Sequence, residues 1–385
     1  MKPYDVYPLI NVTPTKAEGY KLWDENGTEY FDLYGGHAVI SIGHNHPHYV
    51  MRIREQLDKI SFYSNSVQIP IQKELAALLG EVSGYENYDL FLCNSGAEAN
   101  ENALKLVSFH TEKAGIISFK GAFHGRTSGA VALTDNPKII APFNQGHQAH
   151  ILPMDLDAVE NTLKNHPIAG IIIEGIQGVA GIQVPDEAFL LGLQLLCRQY
   201  GALLILDEVQ SGYGRTGKFF AHQWVDGLIP DLITIAKGMG NGFPIGGVLV
   251  SPEIKAKHGM LGTTFGGNHL GCAAGLAVLE VLQSEHLCQH AHETGERLMA
   301  GLAAMDGITE VRGKGLMIGF DLEQEAAAVR TSLLKDYHLF TGNAANAHTI
   351  RILPPLNIPA SAIDYFLESL AKVLSSNKVS NLNPY

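Results

Sequence analysis

Residues 168–209 alternate between two apolar runs and a segment with helical periodicity. The runs 168–176 and 202–209 are almost wholly apolar up to their last positions, and the segment 189–200 between them is closed by Gly201. Strands that are apolar throughout are typical of parallel sheets whose two faces are both covered by helices. The alternation therefore predicts an α/β protein built on a large, mostly parallel sheet.

The chain is also long enough for a second domain. Its 385 residues exceed the size at which a single core keeps growing. After about Asn268 the alternation gives way to a long helix through Val281, a hairpin-like pair around residues 312–315 and a terminal helix from about Ser361. We therefore expect a smaller α+β domain to follow the large one.

Two of the predicted strands end in groups of opposite charge. Residues 233–236 lead into Lys237, and residues 202–206 lead into Asp207. Burial lowers the pKa of a lysine and makes its amine nucleophilic, although a single lysine in this position more often extends into water. The pair is more specific, because pyridoxal phosphate needs an amine to bind its aldehyde and a carboxylate to keep its pyridine nitrogen protonated. Gln210, three residues after Asp207, is placed to reach the phenolic oxygen of that cofactor.

A third element has the composition of a phosphate site. Residues 90–93 have the pattern of a buried strand, Ser95, Gly96 and Ala97 form a turn, and residues 98–107 have helical periodicity. The first N–H groups of a helix lack partners and lie at the positive end of its dipole, where they bind phosphate. By itself such a turn is more often an ordinary helix cap, so its weight comes from the lysine and the carboxylate.

Several motifs occur in the order of one known family. They are SGAEANE at 95–101, FHGRT at 123–127, LDEVQSG at 206–212 and GTTFGGN at 262–268, with GHNHP at 43–47 and TIRILPP at 349–355. On these motifs the chain resembles the class III, fold-type-I pyridoxal-phosphate aminotransferases over nearly its whole length. It is most similar to the acylornithine aminotransferases of arginine biosynthesis.

The resemblance implies an architecture and an assembly. Residues 51–267 are expected to form the large cofactor-binding domain, with a mostly parallel sheet of the seven-stranded type. Residues 268–385 are expected to form the smaller α+β domain, and residues 1–50 an N-terminal segment that packs with it. The resemblance also implies a homodimer with shared active sites.

The resemblance assigns roles to individual residues. The implied cofactor-binding residues are Ser95, Gly96, Ala97, Phe123, Asp207, Gln210, Lys237 and, reaching the neighbouring subunit's cofactor, Thr264. The implied substrate-binding residues are Arg126, Thr263 and Arg351, of which Arg351 is a fork for the α-carboxylate of glutamate. Glu174 is expected to lie behind them.

The implied reaction moves the terminal amino group of an N-acylornithine, acetyl or succinyl, to 2-oxoglutarate and gives the semialdehyde and glutamate. Ornithine and 4-aminobutyrate aminotransferases remain alternatives within the class. An aminomutase or decarboxylase on the same fold would keep Lys237 and Asp207 without needing two arginine forks. A binding or regulatory protein that has kept the scaffold is the non-enzymatic alternative.

The chain departs from the family at one position near Arg351. Relatives commonly read Gln-Gly-Glu where this chain has Gln177, Gly178 and Val179. In the family that glutamate pairs with the carboxylate-binding arginine while an amine without an adjacent carboxylate binds. Without it Arg351 is unmasked, and we expect N-succinylornithine to be used at least as well as N-acetylornithine. The alternative is that Val179 only packs against the domain wall.

Composition argues against several classes of partner. The formal net charge at pH 7 is −12 and no basic run occurs, so we expect no nucleic-acid binding. Neither a signal-peptide pattern nor a membrane-spanning apolar run is present, and the four cysteines lack C-x-x-C spacing, so we expect a cytoplasmic protein without a membrane partner. His44, His46 and His48 lie in one loop without a partnering cysteine or carboxylate cluster, and we expect no metal site.

Overall fold

The computed structural model describes residues 1–381, with side chains up to residue 376, and its largest sheet has seven strands. In spatial order they are β4 (Asp89–Cys93), β10 (Gly246–Val250), β9 (Leu232–Ile235), β8 (Leu203–Asp207), β7 (Ile168–Glu174), β5 (Gly115–Phe119) and β6 (Ala149–Leu152). Strand β10 runs antiparallel to both of its neighbours, and the pairs from β9 to β6 are parallel. The predicted α/β class with a mostly parallel sheet is confirmed.

Helices cover both faces of this sheet. Ile171 and Ile173 of β7 pack in one apolar cluster with α7 (Glu187–Tyr200), whereas Ile172 between them packs in another with α4 (Gly96–Thr111). Successive side chains of a strand point to opposite faces, so a strand covered on both faces must be apolar at every position. This arrangement explains the unbroken apolar runs in the sequence.

The other α-helices of five or more residues are distributed along the described chain. They are α2 (Pro47–Lys59), α3 (Pro70–Ser83), α5 (Ser128–Ala132), α6 (Leu156–Asn165), α8 (His269–Ser284), α9 (Leu287–Ala303), α10 (Ala326–Tyr337) and α11 (Ala360–Asn381). Helix α8 begins where the side chain of Asn268 accepts a hydrogen bond from the N–H of Gly271, and it is the long helix that the sequence predicts. In the described part of the chain, no helix has the length and apolar character needed to cross a membrane.

Two smaller sheets are formed by strands from the N-terminal and C-terminal parts of the chain. The first has β1 (Pro14–Glu18), β2 (Lys21–Asp24) and β3 (Glu29–Asp32), joined by β13 (Leu339–Phe340), which runs parallel to β3. The second is antiparallel, with β11 (Ile308–Lys314), β12 (Met317–Leu322), β15 (Thr349–Ile352) and β14 (Gly342–Asn343) in that order. Strand β13 therefore ties the N-terminal strands to the C-terminal part of the chain.

Candidate active site

Polar side chains meet at the carboxyl ends of three adjacent parallel strands. Glu174 ends β7 and Asp207 ends β8, and the two residues are paired in the sheet register. Asp207 is also paired with Thr234 of β9, and Lys237 follows β9 in a short 3₁₀ turn. Ligands of parallel α/β sheets bind at this edge. The sheet thus brings together the lysine and the carboxylate that the sequence singles out.

The backbone of Lys237 has an unusual conformation. Its φ is +46°, in the left-handed region that residues other than glycine rarely adopt. The turn is held from outside, because the hydroxyl of Ser41 donates to the carbonyl of Gly238 at 2.7 Å and the side-chain oxygen of Asn241 accepts the N–H of Ser41 at 2.8 Å. Strain of this kind persists where the surroundings impose it, and it is concentrated at functional sites.

The amine of Lys237 lies in an environment that disfavours its charge. Burial lowers its pKa, while the carboxylates of Asp207 and Glu174 act in the opposite direction and Arg351 lowers it further. Within the described part of the chain the amine forms no hydrogen bond or ion pair. A lowered pKa increases the fraction of neutral amine, which is the nucleophilic form.

Asp207 is held in one orientation by three donors. Its Oδ2 accepts from Nδ1 of His124 at 2.8 Å and from Nδ2 of Asn100 at 2.7 Å, and its Oδ1 accepts from the N–H of Val209 at 3.0 Å. Asn100 is oriented in turn by Thr234, whose hydroxyl donates to its Oδ1 at 2.7 Å. Because the three donors come from separate segments of the chain, they hold the carboxylate in one orientation toward the pocket beside Lys237.

Glu174 is buried between two segments of the pocket wall. Its Oε1 accepts from the N–H of Phe123 at 2.9 Å, and its Oε2 accepts from the N–H of Gly178 at 3.0 Å. Burial raises the pKa of Glu174 to about 7; His124 acts against the rise and Asp207 adds to it. This carboxyl group therefore fixes the backbone on both sides of the pocket.

The start of α4 has the geometry of an anion site. The hydroxyl of Ser95 accepts the N–H of Glu98 at 3.2 Å, which caps the helix. The N–H groups of Gly96 and Ala97 have no acceptor within the described residues. An added Cβ on Gly96 would lie 2.6 Å from Cγ1 of Val209, so only glycine fits at this position. Two unpartnered N–H groups at a helix N-terminus can bind phosphate.

One pocket of about 410 Å³ joins these elements. Among the residues singled out from the sequence, its lining includes Ser95, Gly96, Ala97, Phe123, Arg126, Glu174, Val179, Asp207, Gln210 and Lys237. Arg126 is exposed at this pocket and forms no hydrogen bond or ion pair in the part of the chain that the structure describes. A pocket of this volume with few convergent polar groups suits a small-molecule ligand.

Arg351 lies behind one wall of the pocket. Its Nε donates to the carbonyl of Asn343, its NH1 to the carbonyl of Gly178 at 3.0 Å and its NH2 to the hydroxyl of Tyr34 at 3.1 Å. Burial lowers the pKa of this guanidinium, whereas Tyr34 and Glu174 raise it. Among the described residues no carboxylate forms an ion pair with it. A buried cation without a counter-ion favours an external anion.

Thr263 and Thr264 do not line this pocket. The hydroxyl of Thr263 accepts a hydrogen bond from Nδ2 of Asn94 at 3.3 Å, and Thr264 is exposed. Phe265 beside them is 60% exposed. The single chain therefore brings together the predicted residues of the lysine site but leaves these two threonines outside it.

The three clustered histidines have separate partners. His44 pairs with Asp32, His46 with Glu285 and His48 with Glu280. Asp32 ends β3, Glu280 lies in α8 and Glu285 directly follows it, and His48 itself lies in α2 and not in the expected loop.

Comparison with known proteins identifies the family. The profile described as aminotransferase class-III matches residues 4–374. The chain is 38% identical over 384 residues to acetylornithine aminotransferase 1 of Bordetella bronchiseptica, with 96% of each chain covered. It is 39% identical to the acetylornithine aminotransferase of Methanothermobacter thermautotrophicus, covering 97% of this chain and 96% of that one. The chain belongs to the class-III aminotransferases.

Solved structures agree with this assignment. The ornithine aminotransferase of Toxoplasma gondii ME49 superposes with a TM-score of 0.90 at 26% identity, covering 98% of this chain and 93% of that one. The acetylornithine aminotransferase of Elizabethkingia anophelis gives a TM-score of 0.83 at 29% identity, covering 97% and 96%. The expected fold-type-I architecture, transaminase class and pyridoxal-phosphate cofactor of the family are confirmed.

The residues that orient Asp207 are not among those predicted from the sequence. Asn100 lies on the buried stripe of α4 between two alanines, and Thr234 lies between two isoleucines of β9. A polar residue in an otherwise apolar buried position needs a hydrogen-bond partner, and that signal could have found both. His124 follows Phe123 in the FHGRT motif, and only the structure shows its hydrogen bond to Asp207.

Proposed function

We propose that this aminotransferase moves the terminal amino group of an N-acylornithine to 2-oxoglutarate as a step of arginine biosynthesis. The observation that carries the proposal is a single pocket in which Lys237 lies beside Asp207, with Arg126 exposed in it and Arg351 behind its wall. The names of the similar proteins, acetylornithine aminotransferases of matching length, support the substrate. Two arginines without acidic partners favour a dicarboxylate co-substrate over an aminomutase or decarboxylase reaction.

The residues of the pocket fit pyridoxal phosphate. Besides the two unpartnered N–H groups at the start of α4, the Oε1 atom of Gln210 is buried without a hydrogen-bond partner in the described chain. When bound, the cofactor supplies an electrophilic aldehyde and an electron-accepting ring. Lys237 would hold the aldehyde, Asp207 the ring nitrogen, Gln210 the phenolic oxygen, Phe123 the ring face, and Ser95, Gly96 and Ala97 the phosphate.

Lys237 would also move the proton in the reaction. Its Nζ amine would take the proton from the substrate carbon that bears the amino group and, as an ammonium, would give that proton back as an acid. The lowered pKa of this amine increases its neutral fraction, which is the form that removes a proton. Arg351 would bind the α-carboxylate of glutamate or 2-oxoglutarate, while Arg126 and the partner subunit's Thr263 would meet the rest of the substrate.

A panel of amine donors tests the substrate. We expect N-acylornithines to have specificity constants more than about tenfold above those of ornithine and 4-aminobutyrate, with 2-oxoglutarate as acceptor. The measurement is kcat/KM for N-acetylornithine, N-succinylornithine, ornithine and 4-aminobutyrate. Preference for ornithine or 4-aminobutyrate would assign the chain to another member of the class. Release of product without transfer to an oxo acid would reject the aminotransferase reaction for these substrates.

Val179 bears on the acyl group. It lines the pocket with Arg126, and it directly follows Gly178, whose carbonyl accepts from NH1 of Arg351 at 3.0 Å. A glutamate at position 179 would repel the carboxylate of a succinyl group. At an effective dielectric of about 20, two like charges roughly 8 Å apart repel by about 2 kcal/mol. We therefore expect N-succinylornithine to be used at least as well as N-acetylornithine and Val179→Glu to penalise the succinyl substrate by about tenfold more.

The control for that substitution is Val179→Gln, which has nearly the same size as glutamate but no charge. If the glutamine variant shifts the ratio of the two specificity constants as far as the glutamate variant does, the effect is steric. A ratio that stays constant in both variants would mean that Val179 only packs against the wall.

We propose that the active unit is a homodimer in which the partner subunit's Thr264 completes the phosphate site. Two observations support this: Thr264 is exposed outside the pocket of its own chain, and the next residue, Phe265, has an exposed ring whose centroid lies 5.4 Å from that of the exposed Phe62. We expect a dimer by sedimentation at assay concentration. Thr264→Ala should weaken cofactor retention by roughly tenfold, the loss for one hydrogen bond to a charged group.

Thr331→Ala is the matched control for the dimer test. That hydroxyl lies on the exposed face of α10 and bonds only to the carbonyl of Ala327 in the described chain. A fully active monomer, or cofactor retention in Thr264→Ala equal to that in Thr331→Ala, would contradict shared sites.

We also propose a cytoplasmic location without membrane or nucleic-acid partners. The acidic composition, with a formal net charge of −12, argues against nucleic-acid binding. The four cysteines are free thiols, three of them buried, which supports the location. Unpaired cysteines are usual in reducing compartments.

A further inference from the structure

Tyr34 and His37 form a hydrogen-bonded chain that ends on Arg351. The phenol oxygen of Tyr34 lies 3.1 Å from NH2 of Arg351 and 2.6 Å from Nδ1 of His37. The guanidinium carbon of Arg351 lies 5.7 Å from the centroid of the Tyr34 ring. A side chain from near the start of the chain thus contacts the buried cation behind the pocket, and a second one contacts the first.

The directions of these hydrogen bonds follow from the donors available. A guanidinium only donates, so the phenol oxygen of Tyr34 accepts from Arg351. The phenol has one proton of its own, and Nδ1 of His37 is the acceptor within reach, which assigns the imidazole proton to Nε2. Burial lowers the pKa of His37, and Arg351 and Lys237 lower it further, which favours the neutral ring that accepts. Burial raises the pKa of Tyr34, so the phenol keeps its proton.

Arg351 keeps donors for a ligand. A guanidinium has five N–H donors, and three of those of Arg351 bond to the carbonyls of Asn343 and Gly178 and to Tyr34, which leaves two. Two parallel N–H groups are what a carboxylate needs for a bidentate contact. The charge of Glu174 raises the pKa of Arg351, but the two carboxylate oxygens already accept backbone N–H groups. The fork is therefore left for an external anion.

The backbone that carries Tyr34 and His37 is fixed in a costly conformation. Helix α1 (Gly35–Ala38) is a left-handed turn with φ values of +54°, +55°, +69° and +63°. Its last two residues are not glycines, so the surroundings must impose this conformation. Oδ1 of Asp32 does so in part, because it accepts the N–H groups of Tyr34 and Gly35 at 3.1 Å and 2.7 Å.

Two further contacts connect this turn to the site. Nε2 of Gln210, which lines the pocket, donates to the carbonyl of His37 at 3.1 Å. Gly342 leaves room for the Tyr34 ring, since an added Cβ there would lie 2.3 Å from Cε2 of Tyr34. The position of the phenol therefore depends on the pocket residue Gln210, through His37, and on Gly342 of β14.

We propose that Tyr34 and His37 are positioning residues for carboxylate recognition at Arg351. His37 takes the phenol proton, and Tyr34 in turn holds the guanidinium so that its two remaining N–H groups meet the α-carboxylate of 2-oxoglutarate or glutamate. The identity of these substrates rests on the proposed function. Because both positioning residues are neutral, they orient Arg351 without cancelling the charge that attracts the carboxylate.

The test compares Tyr34→Phe with Tyr30→Phe in the holoenzyme. Tyr30 provides a matched control, because its hydroxyl bonds to Asp24 and does not contact Arg351. The probe is glutarate, a dicarboxylate without an amine or a keto group, titrated by calorimetry. We expect Tyr34→Phe to weaken glutarate binding and to raise KM for 2-oxoglutarate by about tenfold each, the effect of one hydrogen bond to a charged group. The KM of the acylornithine should change by less than about threefold, because its reacting end carries no carboxylate.

His37 supplies the second arm of the test. His37→Leu removes the acceptor and should reproduce the effect of Tyr34→Phe, whereas His37→Gln keeps an acceptor and should restore part of the binding. Since His37 acts through Tyr34, the double variant Tyr34→Phe/His37→Leu should lose no more than either single variant. Equal losses for 2-oxoglutarate and the acylornithine, additive losses in the double variant, or an equal effect of Tyr30→Phe would overturn the proposal. Glutarate binding is measured without any amine donor. It therefore tests the role of Tyr34 and His37 even if the amine donor is not an acylornithine.

Discussion

Replacement of Lys237 by alanine is expected to lower kcat by roughly 10⁴-fold, the upper range for removal of a group that transfers protons in the reaction. Lys237 combines the features that this role needs: a strained backbone held by Ser41 and Asn241, a lowered amine pKa and a place in the same pocket as Asp207. The measurement is the rate of amino transfer from N-acetylornithine to 2-oxoglutarate. Borohydride reduction of the holoenzyme followed by peptide mapping should place the cofactor label on Lys237.

Lys120→Ala is the control for this experiment. Lys120 follows β5, is largely exposed and contacts Asp135 at 3.7 Å, so it tests the loss of a lysine outside the pocket. We expect it to keep normal turnover and an unchanged label. A label on any other lysine, or appreciable turnover in Lys237→Ala without added amine, would refute the assignment.

The sequence predicts the site residues that lie next to strands or helices with a clear local pattern. The apolar runs of β7 and β8 are visible because both faces of these strands are covered, and the residues that follow such runs must lie at the ligand-binding edge of the sheet. For this reason Lys237 and Asp207 could be found without a structure. The turn before α4 was found in the same way, because a helix start has a local signature.

The contacts that orient these groups are not local, and the sequence does not reveal them. Asn100 is 107 positions before Asp207, and Tyr34 is 317 positions before Arg351. Such pairs are set by the order of strands in the sheet and by the packing of the small sheets against it, which periodicity does not encode. The left-handed turn before the pocket is hidden for the same reason, since two of its four residues are not glycines.

Replacement of Asp207 by asparagine is expected to lower kcat by roughly 10³-fold while the fold is kept. An amide cannot hold the proton on the pyridine nitrogen of the cofactor, so the ring accepts electrons less well. The structure also predicts the effect on stability. An asparagine oxygen can still accept from His124 and Asn100, but its NH₂ group then faces the N–H of Val209, with which it cannot bond. The free energy of unfolding should fall by about 1–3 kcal/mol, measured by urea denaturation.

The neighbouring carboxylate provides the control that decides between Asp207 and its alternatives. Glu208 is fully buried, accepts from the hydroxyl of Ser211 at 2.6 Å and pairs with His222 at 2.7 Å, so it faces away from the pocket. Glu208→Gln should therefore lower stability more than turnover, the reverse of Asp207→Asn. Glu174 is the other carboxyl group near the ring site, and its pKa of about 7 would leave it partly protonated at neutral pH, so it is poorly suited to pair with a pyridinium. Near-normal turnover in Asp207→Asn, together with a large loss in Glu174→Gln, would move the ring partner to Glu174.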